Sequence, residues 1–121
     1  GNKQLQAQLH QAQKTFYELK QNENESNTVF CDSFINVVEA VENYGGEFGI
    51  DKASLEDDNE YAALDPTAKK DKANINIALL RQRDKFLAYA FIKKTDNNRF
   101  RDMKKELEND FIKGMSSYKE L

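Results

Sequence analysis

The chain of 121 residues has one cysteine, one histidine, one proline, five glycines and no tryptophan. Cys31 alone excludes an internal disulfide, and Cys31 with His10 cannot supply the side-chain set of a zinc site. No apolar run approaches the ~18 residues of a membrane-spanning helix. The Gln-rich start has no signal-peptide profile, so the expected setting is intracellular, with no membrane partner. A single proline leaves long stretches in which nothing interrupts a helix. The length suits one domain, residues 1–121, with a modest core.

Charge excludes less. Net charge is −3, from 18 basic and 21 acidic residues, which argues against a dedicated nucleic-acid binder. The distribution is uneven: residues 51–65 hold six acids and one base, and residues 81–105 nine bases and three acids. Opposed regions of this kind can steer self-association, although a solvated helix surface explains them as well. In an alternative reading the chain is a monomeric helical adaptor or RNA-binding module using residues 81–105, with Arg99, Arg101 and Lys104 as candidate RNA contacts. Against it, Phe86, Tyr89, Phe91 and Phe100 fall mostly on apolar stripes, which favours packing over base stacking.

What is present is helical period. In a leading helix over residues 1–20, Leu5, Leu9, Ala12, Phe16 and Leu19 recur at three or four residues. Residues 21–24 break the pattern and read as a turn. A second helix should start near 26–28, where short hydroxyl side chains can cap it. Phe30, Phe34, Val37, Val38, Val41 and Tyr44 form its apolar stripe, and Gly45 and Gly46 stop it. Residues 51–64 suggest a short helix or a mobile connection. Asp65 and Pro66 then make a strong start signal for a helix running to Lys93 or Lys94. Ile75, Leu79, Phe86, Ala90 and Phe91 share one side of it, while Ile77, Leu80 and Leu87 widen the apolar surface. Asp96 caps a last helix with Phe100, Met103, Leu107 and Phe111, closed by Gly114. The expected fold is all-α, a compact bundle of four to five helices.

No catalytic constellation stands out. His10 has no acidic neighbour at helical spacing and reads as a solvated surface residue. Cys31, between Phe30 and Phe34, reads as a packed thiol. The acidic run Glu56, Asp57, Asp58 lacks the spaced ligands of a calcium loop. The glycine-rich residues 45–49 follow a helix, whereas phosphate loops follow a strand. No enzyme activity, metal, cofactor or small-molecule substrate is expected.

The spacing of Leu19, Gln21, Glu25, Phe30 and Phe34 resembles the major homology region of retroviral and retrotransposon Gag capsid proteins. That region reads aliphatic, spacer, Gln, three spacers, Glu, four spacers, aromatic, three spacers, aromatic. Residues 37–49, 83–91 and 107–114 are similar to Gag of copia-type long-terminal-repeat retrotransposons, including variants found in algal and diatom genomes. The resemblance spans roughly residues 16–118. It implies a capsid C-terminal domain that dimerises and joins higher capsid assembly, building a virus-like particle in the cytoplasm, in an active element or a domesticated descendant. It also implies that Gln21 and Glu25 tie the turn to the second helix, with Phe30 and Phe34 as core anchors. Ser33 stands where the family carries Arg, which limits Glu25 to backbone contacts. Element RNA would be bound by a separate Gag region, because the zinc knuckle of such proteins has no counterpart here. Ile77 and Leu80 are candidates for a contact between subunits, unless the first helix covers them.

Overall fold

The computed structural model describes residues 1–95. The expected last helix and the candidate RNA contacts Arg99, Arg101 and Lys104 lie outside the described residues. Among those described there is no strand: α1 spans Asn2–Glu18, α2 Asn27–Asn43, α3 Asn59–Ala62, α4 Pro66–Lys69 and α5 Lys72–Lys94, with a 3-10 segment at Lys52–Asp57. The all-α class follows from the helical period of the apolar residues. No described helix is long and apolar enough to cross a membrane.

Five phenylalanines from four places in the chain build the core. Phe16 of α1 packs on Phe34 of α2, ring centroids 5.9 Å apart, and on Phe48 of the following loop at 4.7 Å. Phe91 of α5 meets Phe30 at 5.4 Å and Phe34 at 5.2 Å, the latter edge to face. Val38, Val41, Leu87, Ala88 and Ala12 fill the remainder. Phe30 and Phe34 have no exposed surface. Burial on this scale stabilises each large side chain by about 1.5–3 kcal/mol relative to exposure.

The loop after α2 depends on two glycines. Gly46 sits where a Cβ would lie 2.5 Å from Val41 Cγ1 and 3.0 Å from Leu9 Cδ1, so α1 and α2 close on bare backbone. Gly49 has φ +62°, and a Cβ there would be 2.4 Å from Phe86 Cβ. Its chain turns against α5 in a conformation that favours glycine.

The long helix expected from Pro66 to Lys94 is interrupted. Asp65 caps α4, accepting from Ala68 N–H at 2.8 Å, but α4 ends after one turn and α5 begins afresh with Asp71 accepting from Ala73 N–H. Side chains take over the carbonyls of the first turn: Tyr61 O–H donates to Lys69 O at 2.9 Å and Asn74 Nδ2 to Ala68 O at 3.0 Å. A second short carboxylate cap outcompetes continuation, because it satisfies free N–H groups locally. Residues 51–64, expected as a short helix or a mobile connection, form the 3-10 segment and α3, capped by Asp51 and Asp58.

The face of α5 also differs from expectation. Leu87 is buried with Ala88, Phe91 and Ile92, whereas Phe86 is partly exposed. Phe86 lies at the edge of the core, stacked on Phe48 at 6.0 Å. Ile75 and Leu79 are half-buried, away from the phenylalanine cluster, beside the 3-10 segment.

Candidate functional site

Residues 21–25 form a closed turn between α1 and α2. Gln21 is buried, and its side-chain Nε2 donates to Glu25 O and to Asn27 Oδ1, both at 3.1 Å. The Glu25 carboxylate reaches back to accept from Asn22 N–H at 3.1 Å, while Glu25 N–H donates to Asn22 O. Ser26 accepts from Val29 N–H and starts α2. Leu19, half-buried, packs against the core just before the turn. The amide of Gln21 thus joins both ends of the turn, and a side chain without matched donors would leave two half-buried acceptors without that donor.

The end of α5 holds this turn from the other side. Gln21 N–H donates to Lys94 O at 2.8 Å. Lys94 Nζ donates to Phe16 O, and to Leu19 O at 3.3 Å, and lies 4.5 Å from the Phe16 ring centroid. A cation at the C-terminal end of α1 satisfies carbonyls that the helix leaves free and complements its dipole. Burial, and next Lys20 nearby, lower the Lys94 pKa. Asn27 and Lys94 carry no spacing signal in the sequence, since both act across gaps between elements.

The basic stretch is largely committed within the chain where it is described. Arg81 grips Asp58 with two hydrogen bonds, Nε to Oδ2 at 2.7 Å and Nη2 to Oδ1 at 2.9 Å, and contacts Glu60 at 2.9 Å. Asp58 is 5% exposed and also accepts from Tyr61 N–H. The Arg81 hydrogen bonds, aided by that N–H, hold its carboxyl below the ordinary range against the opposing effect of burial. Arg83 pairs with Glu42 of α2 through Nε at 2.6 Å and Nη2 at 2.8 Å, and with Asp84. Two-pronged pairs of this type fix orientation as well as charge.

No metal-holding group of His, Cys, Asp or Glu occurs among the described residues. Burial, and secondarily Asp32, push the Cys31 thiol up, which disfavours the reactive thiolate. His10 is exposed. On α5, Ile77 is 49% and Leu80 56% exposed, so α1 does not cover them. No protein-family model matches the chain, and neither curated proteins nor solved structures give a match.

Proposed function

We propose that this chain is a structural, non-enzymatic Gag capsid domain of a copia-type retrotransposon, or a domesticated descendant, that self-associates in building a cytoplasmic virus-like particle. One observation carries the reading. The five residues with homology-region spacing form a single unit, in which Gln21 and Glu25 close a turn directly before a helix whose Phe30 and Phe34 have no exposed surface. Leu80 and Ile77 supply apolar surface on α5 for a contact between copies, and a two-fold arrangement would use the same patch on both chains. Element RNA would be held by a separate Gag region. Against the adaptor or RNA-binding alternative, Arg81, Arg83 and Lys94 already serve the chain's own carboxylates and carbonyls. The reading frame that encodes the chain is the test. A zinc knuckle and reverse transcriptase downstream support an element's Gag, while an unrelated enzyme in the same frame would contradict the assignment.

A further inference from the structure

The stripe of α5 that builds the core runs on past the core itself. Ala73, Ile77, Leu80, Asp84, Leu87 and Phe91 recur at alternating steps of four and three, the spacing of one continuous helix seam. Leu87 and Phe91 are buried in the core with α1 and α2, whereas Ile77 and Leu80 on the same line are exposed. The reason lies in α2, which ends at Asn43, just after Glu42 grips Arg83. Residues 72–82 carry the seam about 16 Å further. A different side of this stretch is covered, since Ala78 is fully buried and Leu79 half-buried beside the 3-10 segment.

We propose that this uncovered stretch of seam packs against the same stretch of a second copy, with the two α5 helices antiparallel about a two-fold axis between Ile77 and Leu80. Sterics set the direction. Both copies carry α1 and α2 on this seam further along α5, so a parallel pairing would drive the two sets of helices into the same space. An antiparallel pairing leaves them at opposite ends. In that register Ile77 faces Leu80 of the partner subunit, and Ala73, small enough for close approach, faces Asp84 of the partner subunit. The start of α5, with exposed Lys72, meets the end of the other copy's α2, where two carboxylates, Glu42 of the partner subunit and Asp84 of the partner subunit, share one arginine. The inference rests on the self-associating reading above and deepens it by fixing the direction and register of the contact.

Disulfide trapping in the full chain tests it, in a Cys31→Ala background checked by circular dichroism. Ala73→Cys and Asp84→Cys chains, mixed and oxidised with glutathione disulfide, should give a cross-linked heterodimer at least tenfold more abundant than either homodimer, read by mass spectrometry. The two copies of residue 73 in an antiparallel pair would lie about 16 Å apart along the helices, beyond the reach of a disulfide. Homodimers of the Ala73→Cys chain would mean a parallel contact, and no cross-link between chains that sedimentation shows to associate would mean a different surface. Either result overturns the inference and leaves self-association standing. An unaltered chain that sediments as a monomer would overturn both.

Discussion

Gln21 N–H donates to the carbonyl oxygen of Lys94 at 2.8 Å, which joins the turn after α1 to the last residue of α5. The same lysine returns its side chain to the carbonyls of Phe16 and Leu19. Two segments far apart in the chain thereby hold the turn before α2.

Gln21→Ala should be more damaging than its place in a turn suggests. It strands Asn27 Oδ1 and Glu25 O beside a buried site, a loss of about 1–3 kcal/mol. Urea denaturation would show the midpoint shift, and Gln21→Glu should fare no better, because a carboxylate cannot donate to either oxygen.

Phe34→Ala removes the ring shared by Phe16 and Phe91. The expected cost is about 3–5 kcal/mol, a large part of the stability of a domain this size. Thermal and urea unfolding would measure it. A loss below about 1 kcal/mol would mean that the phenylalanine cluster is not the core.

Asp58→Asn should give a pH-dependent loss. Asp58 has a lowered pKa in the folded chain, so its contribution is present above the unfolded value near ~3.9 and is lost as pH falls through the folded one. The stability gap between the two proteins should therefore be widest above pH ~5 and close below pH ~4. Because Arg81 is 32% exposed, the neutral-pH gap should sit near the lower end of the ~1.5–3 kcal/mol typical of charged hydrogen bonds. Equilibrium unfolding across pH would reveal a constant gap if the pair contributes nothing.

RNA binding by the full chain should be weak and salt-sensitive, in keeping with its net charge of −3. Fluorescence anisotropy with short single-stranded RNA at physiological salt would test this. Tight binding that is abolished by Arg99→Ala, Arg101→Ala and Lys104→Ala together would favour the RNA-binding alternative.

Much of the core was legible because helical period is local. Phe16, Phe30, Phe34 and Phe91 each stand on a stripe whose spacing marks the buried side, and Ser26 and Asp65 mark helix starts by chemistry confined to three residues. The break before α5 was harder to see. Asp71 is one carboxylate inside a helical pattern, and its effect depends on Tyr61 and Asn74 capturing carbonyls of α4. Phe86 and Leu87 are adjacent and equally apolar; which one points inward depends on where the loop at Gly49 meets α5. Arg81 with Asp58, Arg83 with Glu42 and Lys94 with α1 are contacts between distant residues, and no spacing rule announces them.

Self-association is the most direct test of the capsid account. Sedimentation velocity of the full chain over a wide concentration range, beside Ile77→Asp with Leu80→Asp, measures it. The account predicts that the unaltered chain forms dimers or larger species as concentration rises, while the double variant stays a folded monomer with unchanged helicity. An unaltered chain that remains monomeric at the highest concentration would contradict it.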